Sequence, residues 1–192
     1  MLNRVIARLD IKSDNVVRGI HMEGLRKVGK PEQMSANYYS HGIDEIIYID
    51  LVASLYGRNH LLSLIEKTSA NVFIPLCIGG GISSPKDVEN ILRAGADKIA
   101  INTAAVKNPL LIKEISYNFG SQCVVSQIEA KKNTSGSWDV LTENARQTTS
   151  KDVIDWAKEC CDLGAGELLV ISVDMDGTRR GFDLELTNTI SS

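Results

Sequence analysis

The sequence predicts a parallel α/β fold, a (β/α)8 barrel of the TIM type, and three observations carry that prediction. Short β-branched runs alternate with segments of helical period, the pattern of parallel strands joined by helical crossovers. One exit unit recurs between them: "HGIDEIIYID", "AGADKIAIN" and "LGAGELLVIS" each place a glycine, a few small or acidic residues and then a strand. Polar residues stand at the C-terminal ends of the strands, where a barrel gathers its functional groups.

Taken in order, the first strand is "RVIARLDI" (4–11), with Asp10 at its end. The helical segment "PEQMSANYYSHG" (31–42) starts on Pro31 and stops at Gly42. The second strand, "EIIYIDLV" (45–52), ends near Asp50. The third, "VFIPLCI" (72–78), runs into Gly79, Gly80 and Gly81, then into the helix "SPKDVENILRAG" (84–95). The fourth, "KIAIN" (98–102), ends on Asn102 and precedes the helix "NPLLIKEISYNFG" (108–120). The fifth, "CVVSQIE" (123–129), ends on Glu129, before the helix "SKDVIDWAKECCDLG" (150–164). The sixth, "ELLVISVD" (167–174), leads to Asp174 and Asp176, and "FDLELTNTISS" opens a further helix. A longer echo pairs "IARLDIK" (6–12) with "VSQIEAK" (125–131), and "DEIIYIDLVAS" (44–54) with "GELLVISVDMD" (166–176), as in two related halves. A doubly wound sheet would place its phosphate-binding glycines after the first strand; here they follow the third. Eight βα units need about 250 residues. The expectation is therefore a single barrel domain over residues 1–192, truncated after about six units, with units seven and eight outside the chain.

Composition excludes several classes. A net charge of −3 with scattered Lys and Arg offers no nucleic-acid surface, and no apolar run is long enough to span a membrane. Cys77, Cys123, Cys160 and Cys161 lack CxxC spacing and read as reduced thiols of a cytoplasmic protein. His21, His41 and His60 share no metal spacing, and "DMDGTRRGFD" lacks the remaining ligands of a calcium loop. No metal and no cofactor are expected.

The glycine run before a helix start suits a phosphate, because backbone N–H groups and the helix dipole converge there; a tight βα loop is the alternative. Asn102 and Thr103 follow the next strand and would face the same mouth. Asp10 and Glu129 hold matched positions in the two halves, and two carboxylates facing one cavity form an acid–base arrangement. The alternative is that each caps its strand or pairs with Lys12 or Lys131. Arg4, Glu45, Lys98 and Glu167 lead four strands with alternating sign, either as a ring of ion pairs or as solvated charges.

"RLDIK", "IPLCIGGGISS", "LRAGADKIAINTAAVKNP", "FGSQCVV", "LGAGELL" and "DMDGT…GFDLELT" together resemble the cyclase subunit family of imidazole glycerol phosphate synthase, from about residue 4 to the end. The resemblance implies a barrel of histidine biosynthesis, a heterodimer with a glutaminase on its N-terminal face that supplies ammonia. The implied reaction converts a phosphoribulosyl aminoimidazole-carboxamide nucleotide to imidazole glycerol phosphate. It also implies one substrate phosphate at Gly80, Gly81, Asn102 and Thr103, and the other in part at Asp176, Gly177 and Thr178. Asp10 is then the general acid and Glu129 the general base, one methylene longer than the family's aspartate. Arg4, Glu45, Lys98 and Glu167 match the ammonia gate, Asp97 the partner interface, and Arg18 the lysine of a mobile loop over the substrate. Arg8, Glu129, "VVRGIHMEGLRKVGKP" and "VASLYGRN" resemble a paralogous branch that uses ammonia for amidine formation on surface-polysaccharide sugars. A non-catalytic partner of an amidotransferase is a further alternative.

Overall fold

The computed structural model describes residues 3–52 and 59–191. "VASLYGRN" and the side chain of His60 lie largely outside the described residues. The chain forms two compact units, one of Met1–Val17 with Arg26–Ala100, the other of Arg18–Leu25 with Ile101–Ser192.

In the first unit, β1 (Ile6–Lys12) leads into a hairpin of β2 (Asn15–Ile20) and β3 (Glu23–Gly29), whose tip belongs to the second unit. Then come α1 (Pro31–Ser40), β4 (Glu45–Asp50), α2 (Asn59–Ser69), β5 (Leu76–Gly79), α3 (Pro85–Arg93) and β6 (Lys98–Ile101). β1, β4, β5 and β6 pair in that order and all in parallel, with Ile6 opposite Glu45, Ile46 opposite Leu76 and Cys77 opposite Lys98. Strands buried on both faces need continuous apolar runs, and β4 is buried from Glu45 through Ile49. Its one phenol, Tyr48, is fully buried and partnered: its hydroxyl meets Ser35 Oγ at 2.6 Å and Thr68 Oγ1 at 2.9 Å. Burial pushes that phenol above its ordinary pKa.

The second unit contains α4 (Thr103–Lys107), α5 (Leu110–Phe119), β7 (Val124–Lys132), β8 (Trp138–Thr142), β9 (Gln147–Asp152), α6 (Val153–Asp162), β10 (Glu167–Ser172) and α7 (Leu184–Ser191). β10 pairs β7 in parallel, while β8 and β9 extend from β7 as an antiparallel hairpin. Ile112, Ile115, Val124, Ile128, Val140, Trp156 and Cys160 form its core. The alternation of parallel strands and helices in both units is the α/β architecture expected of a (β/α) barrel. Among the described residues no helix is long and apolar enough to cross a membrane.

The recurrent exit unit has a concrete geometry. Asp44 N–H donates to Val5 O at 3.0 Å while its carboxylate accepts from Val5 N at 2.7 Å. Asp97 repeats this with Leu76, at 2.9 and 2.8 Å. The third strand is shorter than its apolar run: β5 starts at Leu76, after Pro75, which has no N–H to give a ladder. Phe73, inside that run, is 75% exposed.

Two hairpins, β2–β3 and β8–β9, carry no glycine-based turn signal in the sequence. Their tips are built from left-handed non-glycine residues, His21 and Met22 in one and Glu143, Asn144 and Ala145 in the other. The segment expected as a loop after the first strand is thus mostly strand.

Candidate functional site

Each carboxylate at the matched strand ends is buried and held by a named donor. Side chains two apart on a strand share a face. On β1, Arg8 Nε and Nη2 reach Asp10 Oδ1 at 2.8 and 2.7 Å, and Asp10 is 7% exposed. Arg8, two residues before, is thus a partner of Asp10. On β7, Glu129 is 1% exposed. Its Oε1 accepts from Gln127 Nε2 at 3.0 Å and its Oε2 from the backbone N–H of Ala145 at 2.7 Å.

The glycine run has a packing reason of its own. A Cβ on Gly79 would stand 2.6 Å from Ile49 Cδ1. One on Gly80, where φ is +105°, would stand 2.2 Å from Asp50 O. Gly81 also has positive φ, +63°. At the helix start that follows, Ser84 Oγ accepts from Asp87 N at 3.3 Å, and Asp87 Oδ2 accepts from Ser83 N at 2.9 Å. This reciprocal cap satisfies donors left over at the N-terminus of α3.

In the second unit, Asn102 Nδ2 donates to Leu141 O at 3.3 Å, and its Oδ1 is buried with no partner among the described residues. Thr103 Oγ1 accepts from Glu143 N at 3.1 Å, and Lys107 pairs with Glu143 at 3.0 Å. The tip of the β8–β9 hairpin therefore rests against both Thr103 and Glu129. Arg18 Nη2 pairs with Asp176 Oδ1 at 2.7 Å, and Met22 N donates to Asp176 Oδ2 at 3.2 Å. His21 N donates to Asp176 O at 2.8 Å. A Cβ on Gly177 would stand 2.1 Å from Gly19 O, so glycine is required where the β2–β3 tip crosses. Thr178 Oγ1 donates to Met175 O at 2.8 Å.

At the N-terminal ends of the strands in the first unit, Glu45 Oε2 accepts from Arg4 Nη1 at 2.8 Å and from Lys98 Nζ at 2.9 Å. Arg4, Glu45 and Lys98 thus meet as ion pairs, and Glu45 is fully buried. Glu167, the fourth strand-leading charge, opens β10 in the other unit. Asp97 is exposed beside Lys98.

The histidine biosynthesis protein family matches residues 4–192 of the chain. The chain belongs to that family. It is 57% identical to the imidazole glycerol phosphate synthase subunit HisF of Legionella pneumophila over 189 residues, 98% of this chain and 89% of that protein. It is 49% identical to the subunit of the same name from Bacillus cereus strain G9842, over 100% of this chain and 76% of that protein, and equally to the one from strain Q1.

For a histidine biosynthesis family member, the sequence named the buried carboxylates but not what holds them. Gln127 and the Glu143–Ala145 tip went unnoticed. The strand period was the available signal for Gln127, which lies two residues before Glu129 on one face. No local signal marked Ala145, because its left-handed conformation (φ +61°) is one that alanine rarely adopts.

Proposed function

We propose that this chain is the cyclase subunit of an imidazole glycerol phosphate synthase and acts in histidine biosynthesis. It takes ammonia from a glutaminase partner and converts a phosphoribulosyl aminoimidazole-carboxamide nucleotide to imidazole glycerol phosphate and a second nucleotide product. The observation that carries this reading is the 57% identity to a subunit of that synthase across 98% of the chain.

In this reading Asp10 is the general acid and Glu129 the general base. Both are buried and hydrogen-bonded, as groups that must keep a fixed geometry need to be. One substrate phosphate is bound at Gly80, Gly81, Asn102 and Thr103, and the other in part at Asp176, Gly177 and Thr178. The buried, unpartnered Asn102 Oδ1 supports a ligand at the first of these. Arg18 reaches over the substrate when it leaves Asp176. Ammonia enters past Arg4, Glu45, Lys98 and Glu167, and the glutaminase docks on the N-terminal face, where Asp97 is exposed.

The test supplies the full chain with ammonium and the nucleotide, and measures imidazole glycerol phosphate. Turnover that Asp10→Asn abolishes, with glutaminase binding kept, is the expected result. No turnover of this nucleotide, with turnover of an ammonia-accepting sugar instead, would turn the reading to amidine formation. Glutaminase binding without any turnover would turn it to a non-catalytic partner.

A further inference from the structure

We propose that Arg8 and Gln127 are positioning residues, one device used in both halves of the chain to hold the two reactive carboxylates. This rests on the reading of Asp10 and Glu129 as the reactive pair.

The echo between residues 6–12 and 125–131 puts Arg8 and Gln127 at corresponding places, each two residues before its acid. Strand geometry then points holder and acid to one face. The contacts follow: Arg8 Nε and Nη2 to Asp10 Oδ1 at 2.8 and 2.7 Å, and Gln127 Nε2 to Glu129 Oε1 at 3.0 Å. The donors differ in kind. A guanidinium offers two N–H groups in a fixed fork, and here both meet one carboxylate oxygen. A carboxamide offers two N–H groups on one nitrogen, and here one contact runs from that nitrogen to Glu129.

Burial supports a specific role for Gln127. It is 5% exposed in a strand flanked by Ser126 and Ile128, where an apolar side chain would serve packing as well. A buried amide is kept where its hydrogen bond matters. Glu129 has one rotatable bond more than an aspartate, and so needs more restraint to keep its oxygens in place. It gets a donor on each oxygen, Gln127 on Oε1 and the Ala145 N–H on Oε2. The Ala145 donor is presented by three consecutive left-handed residues, each a conformation that costs about 1–2 kcal/mol for an L-residue. Unfavourable backbone that persists beside a buried carboxylate fits a tip shaped to aim that N–H.

The experiment uses the full chain with Gln127→Met and Arg8→Met, which keep much of the volume and remove the donors, and Arg8→Lys, which keeps the cation but not the fork. Crystal structures of each variant locate the two carboxylates, and steady-state kinetics with ammonium and the nucleotide separate kcat from KM. A carboxylate displaced by about 1 Å lowers kcat roughly 10- to 100-fold. The expected result is that displacement at Glu129 in Gln127→Met and at Asp10 in Arg8→Met, with KM changed less than about twofold. Arg8→Lys restores part of kcat. If Arg8→Met does not fold, Arg8→Lys alone decides for Asp10, by an intermediate kcat and a shifted carboxylate. Carboxylates that stay in place, or a raised KM with unchanged kcat, overturn the proposal. A wild-type chain that leaves the nucleotide unconverted refutes the proposed reaction, and the carboxylate positions in the variant structures then judge the two holders on their own.

Discussion

Gly80→Ala separates what the glycine run does for the fold from what it does for a phosphate. Gly80 has φ +105°, and an added Cβ would lie 2.2 Å from Asp50 O and 2.9 Å from Asp50 N. Gly42, after α1, is the control: φ is +80° and nothing lies within 4 Å of its Cβ position. Both substitutions carry the cost of a side chain at positive φ, about 1–2 kcal/mol. Only Gly80→Ala must also push back the β4 backbone by roughly 1 Å, at about 1–3 kcal/mol more by analogy with overpacked cores. The expected losses are about 1–2 kcal/mol for Gly42→Ala and about 2–5 kcal/mol for Gly80→Ala. At about 2–4 °C per kcal/mol for a chain of this length, thermal midpoints fall by roughly 5 °C and 10 °C. Urea unfolding monitored by circular dichroism reads both. Equal losses within about 0.5 kcal/mol would refute the close-approach reasoning and leave conformation alone as the reason for glycine. The same measurement guards the functional reading, because weaker phosphate binding in Gly80→Ala means a lost phosphate contact only where the fold is intact.

Three further outcomes are expected. Lys98→Met leaves the buried Glu45 carboxylate without one of its two cations and destabilises the chain by about 3 kcal/mol in urea; the double variant with Glu45→Leu recovers most of that, and a double variant no better than the single one would count against the ion-pair account. A thiol reagent at pH 8 labels Cys161, which is exposed, and spares Cys77, Cys123 and Cys160 in the folded chain; burial pushes the Cys160 thiol up to about 11, so labelling that survives Cys161→Ser would contradict this. The hydrogen bond from Ser137, with those from Asp155 N and Ile154 N, holds the Asp152 carboxyl below its ordinary value. A carboxyl lowered on folding contributes stability that is full above its unfolded pKa near 4 and is lost as pH falls through its folded value. Asp152→Asn therefore flattens the acid limb of the stability–pH curve, and an unchanged limb would refute the assignment.

The parallel strands were legible because burial on both faces forces near-continuous apolar runs, and such runs stand out at the level of composition. Their limits were less so. β5 is four residues long although its apolar run is seven, because Pro75 cannot donate and Phe73 is exposed. The two hairpins were illegible for another reason. Their strands are short, β3 ("EGLRKVG") is mostly exposed, and their tips use His21, Met22, Glu143, Asn144 and Ala145 where turn chemistry favours glycine or the Asn-Gly pair. Tertiary contacts fix those tips instead: Asp176 holds one through Arg18, His21 and Met22, and Thr103 with Glu129 holds the other. The carboxylates themselves could be named from the sequence because they recur at matched strand ends. The orientation of Glu129 could not, since it depends in part on a hairpin tip that comes 16 residues later in the chain.

The exit unit shows how a repeat can keep its geometry while changing its chemistry. In two copies an aspartate, Asp44 or Asp97, closes a two-bond ring with a residue at or just before the start of the neighbouring strand, Val5 or Leu76. In the third the corresponding residue is Gly166, whose N–H still donates to Val124 O at 3.0 Å. The backbone half of the ring survives and the side-chain half is gone. The reason lies in the turn Ser121–Cys123 ahead of β7: a Cβ on Gly166 would stand 2.3 Å from Ser121 O and 2.8 Å from its carbonyl carbon. Glycine here is dictated by a neighbour from another part of the chain, not by its own conformation, since its φ is not positive. What the three copies share is therefore the backbone hydrogen bond that sets the register between neighbouring parallel strands. That register places Asp10 opposite Ile49 and Glu129 opposite Ile171, so the constraint that fixes the bottom of each strand also fixes where its reactive end stops.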